Sequence, residues 1–362
     1  MTTKEPHFRE VVLVINPGST STKVALYSRE GCIISENITH RQADLDRFER
    51  VTDQLEFRYN DLKNKLLNLN TLEGFRVIGV SGRGGIVKPL EGGTYRINEA
   101  FLADAASGRY GDHASNLGSL LAERMRKEYG LPECYTVDPV SVGNMRPEAE
   151  ISGVPEITRV GRGHPLNMKM TARKVAKLQG IDYEDSNYII AHLGGGISIA
   201  HVQAGKILDI NDALLGMGPF SPNRAGALPL RGLMRLCYQM TENEIVDKLS
   251  RKSGFKAYLG TEDLREVILR SDLGDEKSGL IYRAFVYQVA KEIGSYFAAS
   301  GCRAQGIIIT GGIANNVRFT DDLKEYIGKL GEIFLYPGEN EMEALAEGVF
   351  RVLDGIEVAQ EY

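Results

Sequence analysis

The chain has 362 residues, of which 43% are hydrophobic and 25% charged, and its formal net charge is −5. That composition is globular, and the length exceeds the roughly 100–200 residues of one typical domain, so two packed domains are expected rather than disorder. With no basic field and no run of Lys and Arg interleaved with aromatics, nucleic acid is not an expected partner. No apolar run approaches the roughly 20 residues that cross a bilayer, so no membrane partner is expected either, and the location is expected to be cytoplasmic. Cys32, Cys134, Cys237 and Cys302 stand alone, without the close pairing of zinc or redox motifs, and read as free thiols.

In chain order, residues 11–40 read as an apolar strand, a Gly/Ser turn, a second strand, a Glu-Gly turn and a third strand. Helical spacing follows over 52–67 and 115–130, with the apolar segment 75–82 between them as a further strand. Roughly 175 residues after the first unit, residues 187–214 repeat the pattern of strand, glycine turn, strand, Gly turn and strand, so the chain reads as two related halves. Amphipathic segments occupy 241–299, opened by the capping-box pair Thr241 and Glu244. A strand over 307–309, a helix over 319–330 and a last helix over 340–354 complete the series.

Three antiparallel strands per half, followed by helices and further strands, predict an α/β protein with mixed sheets flanked by helices. The polar break at Ser152 to Glu156 puts the domain boundary near residue 150. The expected domains are 1–150 plus 344–362 and 151–343. Neither GxGxxG opening a helix nor GxxxxGK[ST] is present, which removes the main support for a dinucleotide-binding domain or a P-loop.

Three glycine turns carry the candidate chemistry. Between Asn16 and Lys23, one glycine permits a tight turn, and Ser19, Ser21 and Lys23 supply hydroxyls and an ammonium suited to phosphate. An ordinary hairpin would show similar residues for backbone reasons alone. His192, Gly194, Gly195, Gly196 and Ser198 repeat the device in the second half, with three glycines that let backbone amides approach an anion. Gly311, Gly312, Ile313 and Asn315 follow an apolar strand and form a turn that can lie flat against a nucleoside.

These three motifs, in this order, resemble the acetate and butyrate kinases, a family within the actin and sugar-kinase superfamily of two-domain ATP-binding proteins. The resemblance covers nearly the whole chain. Residues 12–23 look like the family's first phosphate motif, 192–199 like its second, and 310–316 like its adenosine motif. Asn16 stands where most sugar kinases of the superfamily carry Asp, which divides acid kinases from sugar kinases. The length and the segments around Gly82, Gly161 and Pro219 look more like butyrate kinase or a branched-chain relative than acetate kinase.

The resemblance implies a duplicated actin/sugar-kinase-like fold, ATP as co-substrate, Mg2+, a short-chain carboxylic acid as acceptor, an acyl phosphate as product and a homo-oligomer of at least two chains. Arg224 stands at the family's transition-state arginine. Arg83 lies three residues from the acetate-kinase arginine when the shared glycine pair is aligned. His164, or Lys169 under another gap placement, matches the histidine that contacts the transferred group. His113 resembles another active-site histidine, or starts a helix. Asp138 and Glu341 resemble the carboxylates near Mg2+. Gly82 and Gly163 appear where acetate kinases have bulkier residues, so room there for extra methylenes of the acid is expected, each worth roughly 0.8 kcal/mol when buried.

The chemistry fits such residues. A carboxylate is ionised at neutral pH and needs no general base, but two unit charges about 4 Å apart repel by on the order of 4 kcal/mol at an effective dielectric near 20, so cations must flank both reactants. Arginine forks suit carboxylate and phosphate. Three rivals remain open at this point: a phosphohydrolase of the same fold, a nucleotide-switched binding protein, and a sugar kinase, which would want a base that Asn16 cannot supply. An acetate or propionate kinase is the nearest alternative within the family.

Overall fold

The computed structural model describes residues 8–68, 74–141, 143 and 145–362. In chain order the strands are β1 (Arg9–Pro17), β2 (Ser21–Ser28), β3 (Gly31–Thr39), β4 (Phe75–Gly82), β5 (Thr94–Arg96), β6 (Tyr135–Val137), β7 (Asn187–Leu193), β8 (Ile197–Gln203), β9 (Lys206–Ile210), β10 (Gly306–Gly311) and β11 (Ile333–Pro337). The helices used below are α1 (Leu55–Asn68), α2 (Asn116–Glu128), α3 (Pro165–Gln179), α4 (Glu276–Ala299), α5 (Val317–Ile327) and α6 (Glu341–Leu353).

The chain forms two compact units, Met1–Val142 with Asn340–Tyr362, and Gly143–Glu339. The second begins ahead of the sequence-based cut at 151 because Arg146 N–H donates to Leu208 O and Arg159 N–H donates to Glu150 O, which ties this stretch to that unit. Residues 340–343 fall in the first unit, where Glu341 is bonded to Asn16 and Arg83.

The first unit has a six-stranded sheet of order β3-β2-β1-β4-β6-β5, and the second a five-stranded sheet of order β11-β10-β7-β8-β9. Read from the third strand of each meander, both run antiparallel, antiparallel, then parallel across the sheet. The repeat seen in the sequence is therefore a repeat of topology. Each meander places a tight turn, β1–β2 or β7–β8, at the end of its two best-buried strands.

Alternation along those strands explains the layers. In β1, Val11, Leu13 and Ile15 join a core with Val24, Leu26, Leu62 of α1, Phe101 and Leu117 of α2. On β4, a Cβ at Gly79 would stand 2.7 Å from Val349 of α6 and 3.6 Å from Val12, so α6 lies close over the opposite face. In β7, Ile189, Ala191 and Leu193 face Phe285 and Ile293 of α4 and Phe319 of α5, whereas Tyr188 and Ile190 face Met168, Ala172 and Val175 of α3. Burial on both faces is why β7 reads as one apolar run. Helix α3 went unpredicted because ten of its fifteen residues are buried, which leaves no clear polar stripe. Among the described residues no helix is long and apolar enough to cross a membrane.

Candidate active site

Each unit presents its own set of candidate residues. In the first, the β1–β2 turn is closed by Gly18 N–H donating to Ser21 O at 2.7 Å. Asn16, the half-buried last polar residue of β1, donates from Nδ2 to Glu341 Oε2 at 2.9 Å. The same carboxylate oxygen pairs with Arg83 Nη1. Asn16, Arg83 and Glu341 thus form one polar cluster from three distant points in the chain. Glu341 opens α6, where the helix dipole favours a carboxylate. Ser19 and Lys23 are exposed and Ser21 is partly so.

The loop around Arg83 owes its path to glycine. A Cβ on Gly82 would overlap the Gly118 carbonyl of α2, and one on Gly85 would overlap Asn116 Oδ1. Asn116 Oδ1 in turn accepts the Ile86 N–H at 2.8 Å. The loop lies against α2, and Arg83 projects from it. This corrects the expectation for Gly82: the space that a side chain would take belongs to the α2 backbone, and the glycine serves helix–strand packing. At Gly163 a Cβ would meet only side-chain atoms, Ile210 Cδ1 and Ser198 Oγ, so a side chain there would need those two to shift.

His113 Nδ1 accepts the Ser115 N–H at 3.2 Å and lies 2.9 Å from Ser115 Oγ, at the start of α2. Desolvation of its ring, then the Arg83 charge, holds its imidazole below the usual histidine range. Asp138, buried at the end of β6, has φ of 39°, a region that non-glycine residues rarely adopt. Its Oδ1 accepts the Gly93 N–H at 2.9 Å.

In the second unit, Leu193 pairs with Ile197 across the β7–β8 turn, leaving Gly194, Gly195 and Gly196 as the loop. The Arg224 guanidinium lies against Gly196, where a Cβ would overlap its Nη1, and Nη1 donates to Ala213 O at 2.7 Å. Ser221 Oγ donates to Gly195 O at 2.6 Å and accepts the Arg224 N–H at 3.1 Å, coupling the arginine's backbone to the turn. Burial lowers the Arg224 pKa, against the opposing pull of Asp212.

The His164 and His192 rings stack at 3.9 Å between centroids. His164 precedes α3 and places Nδ1 2.9 Å from Ser198 Oγ. His192 Nδ1 lies 3.0 Å from Asn167 Oδ1, which also accepts from Thr310 Oγ1 at 3.0 Å. Asn167, a residue that sequence reasoning missed, therefore links the second turn to the strand leading into Gly311 and Gly312. Ser221 was missed too; its position three residues before Arg224 was the available signal. Lys169 is buried within α3.

Gly311 has φ of 88° and sits where a Cβ would overlap Leu193 O, so the fold itself requires glycine. Gly195 and Gly312 differ: a Cβ at either would meet nothing within 4 Å, and neither has positive φ. Ile313 is half-buried, and Asn315 Nδ2 donates to Gly312 O at 3.1 Å.

Two Nε–H groups, of Arg83 and Arg224, are buried with no acceptor among the described residues. An unmet buried donor costs about 1–3 kcal/mol, which a fold rarely retains without use. Guanidinium groups of this kind beside turns rich in Gly, Ser and exposed amides are suited to oxyanions such as phosphate and carboxylate.

A sheet of this order, duplicated and bearing a turn of this kind in each copy, is the actin and sugar-kinase fold. Among solved structures, acetate kinase from Porphyromonas gingivalis matches with a TM-score of 0.77 at 19% identity, covering 95% of this chain and 100% of that one. A propionate kinase from Francisella tularensis matches with a TM-score of 0.71 at 20% identity, covering 94% and 98%. The Acetokinase family matches residues 156–333. Butyrate kinase 2 of Clostridium acetobutylicum is 44% identical over 357 residues, covering 97% of this chain and 99% of the relative. A probable butyrate kinase of Clostridium botulinum is 42% identical with the same coverage. The chain belongs to the acetate and butyrate kinase family. It is a kinase that uses ATP and has a carboxylate as acceptor.

Proposed function

We propose that the chain phosphorylates butyrate, or a branched acid of similar size, with ATP to give the acyl phosphate and ADP, reversibly. Phosphorylation of a short-chain carboxylate follows from the family. The choice of acid rests on the near full-length relatives named butyrate kinase at 42% and 44% identity. The observation that carries the chemistry is that the buried Arg83 and Arg224 Nε–H groups have no acceptor among the described residues.

In this reading the ionised acid attacks the γ-phosphorus directly, the bond to the β-phosphate oxygen breaks, and ADP leaves. No base is needed, so Asn16 is a positioning group whose amide is fixed by Glu341. Arg83 and Arg224 balance the charge of acid and phosphoryl group. His164, stacked on His192, is the candidate donor to the transferred group. Ser19, Ser21, Lys23 and Gly194 to Gly196 handle phosphates. Gly311, Gly312, Ile313 and Asn315 form the nucleoside surface; the open space at Gly312 supports close approach of a ligand. His113, beside Arg83, belongs to the acid's surroundings.

Mg2+ takes one or two carboxylates beside phosphate oxygens and water. Asp138, fixed by Gly93 N–H, and Glu341, fixed by Asn16 and Arg83, fit that donor count and would hold the ion directly or through water. Bound there, Mg2+ would offset phosphate charge. A cytoplasmic homo-oligomer belongs to the same proposal, and the exposed Leu230, Met234 and Tyr238 support self-association.

The test is acid-dependent ADP release by the purified protein with Mg-ATP, from acetate to valerate and branched acids, with the product trapped by hydroxylamine. The highest kcat/KM is expected for four- or five-carbon acids. A maximum at acetate would overturn the butyrate reading, and silence across the panel would overturn the kinase reading.

A further inference from the structure

Beneath the β1–β2 turn lies Arg58 of α1, 1% exposed. Its Nη1 donates to Gly18 O at 2.8 Å and Ser21 O at 3.0 Å, and its Nη2 to Ser19 O at 2.9 Å. Nε and Nη2 both donate to Gln54 Oε1, at 3.0 and 2.8 Å, and Nη1 lies 3.3 Å from Thr22 Oγ1. The remaining turn carbonyl, Thr20 O, accepts the His40 N–H at 2.9 Å. All four carbonyls from Gly18 to Ser21 are thus taken up inside the protein.

A trans peptide is planar, so its C=O and N–H point opposite ways. Turning the Gly18 and Ser19 carbonyls inward onto Arg58 turns the Ser19 and Thr20 N–H groups outward. Neither of those N–H groups has an acceptor among the described residues. Every group hydrogen-bonded to the guanidinium is neutral, so no ion pair caps it; Asp61, which holds His40, offsets its charge in part. Burial lowers its pKa to about 10, which leaves it charged at neutral pH. His40 supports the assembly, with Nε2 2.9 Å from Thr22 Oγ1 and Nδ1 3.0 Å from Asp61 Oδ2.

We propose that Arg58 is a positioning residue for phosphoryl transfer: it aims the Ser19 and Thr20 amides outward and holds a positive charge, with no ion-pair partner among the described residues, behind the turn. The inference rests on the phosphate role proposed above for that turn. Arg58 touches no reactant in this account. It acts through the turn backbone and through its field, which is weakly screened because the guanidinium is buried.

The decisive variant is Gln54→Glu. It keeps the shape of the acceptor and both hydrogen bonds but sets a negative charge on Arg58. A residue that only braces the fold would gain from this pairing. A positioning charge would lose its field. The expected result is a melting temperature at or above the parent's, kcat lowered about tenfold, Mg-ATP affinity weakened at least threefold, and KM for the acid within twofold. Arg58→Lys, which cannot reach all the carbonyls, is expected to lower kcat about a hundredfold with KM for the acid again little changed. Acid-dependent turnover by the parent tests the functional reading, whereas the ratio of variant to parent tests Arg58. Calorimetric Mg-ATP binding reads the turn even if the parent turns over no acid, and Gln54→Glu decides if Arg58→Lys does not fold. Parental kcat and parental Mg-ATP affinity in Gln54→Glu would overturn the proposal.

Discussion

The guanidinium of Arg224 occupies the space that a side chain on Gly196 would fill. The middle glycine of the same turn, Gly195, has open space above it. The two are therefore expected to respond differently. Gly196→Ala should displace Arg224 and lower kcat by about 10²–10³, the usual loss when one charge-stabilising donor is misplaced. Gly195→Ala should leave thermal stability unchanged and raise KM for ATP. Steady-state kinetics beside melting curves separate the two, and equal kcat losses would argue against the placement of Arg224.

Glu341 is the shared acceptor of Asn16 and Arg83. Glu341→Gln keeps the shape but leaves the largely buried Arg83 without its counter-charge, for an expected loss of about 3 kcal/mol in stability. Arg83→Gln in the same background should restore part of it. A double-mutant cycle in urea is expected to give a coupling of about 1–3 kcal/mol. A coupling near zero would mean that the two side chains are not paired in solution.

Gly82→Ala is expected to destabilise by about 1–3 kcal/mol, since the new methyl meets the α2 backbone, which cannot move without repacking. The ratio of kcat/KM for butyrate and acetate should stay within about twofold, because the new methyl meets α2; a pocket shortened by one methylene would change it by roughly 0.8 kcal/mol, about fourfold. A large shift toward acetate would return Gly82 to the acid pocket.

His201, buried with Nε2 2.9 Å from Asn187 Oδ1, has its pKa lowered to about 4, chiefly by burial and then by Arg146 and Arg303. The unfolded chain binds a proton near pH 6.5 and the folded chain only near pH 4. The neutral ring's contribution is thus complete above about pH 6.5 and declines as pH falls toward 4. Roughly 2 kcal/mol is expected to be lost across that window. His201→Gln should flatten the slope of unfolding free energy against pH there, and an unchanged slope would remove His201 as its source.

The strands and turns were legible because hairpins punctuate apolar runs with Gly, Ser and Asn, and because the punctuation occurs twice. Thr241 and Glu244 announced a helix start by chemistry that is local in sequence, and the structure has that capping box. What stayed hidden depends on distance or on absence of pattern. Asn16 and Glu341 are 325 residues apart, so their bond has no local signature. Asn167 lies in a helix buried around most of its circumference, where a hub and a core position look alike. Gly82 was read as space because glycine lacks a side chain, but what fills that space is a backbone carbonyl from another element.

The first unit is discontinuous, with Met1–Val142 completed by Asn340–Tyr362. On the ribosome, Asn16 and Arg83 are therefore made long before the carboxylate that joins them. Until α6 emerges, β4 lacks the Val349 contact at Gly79 and Arg83 lacks its counter-charge. A chain interrupted between residues 211 and 339 carries both glycine turns and all three strands of each meander, yet not the Asn16–Glu341–Arg83 cluster. Assembly of that cluster is thus a late event in biosynthesis, and it marks the chain as having been read through to residue 341.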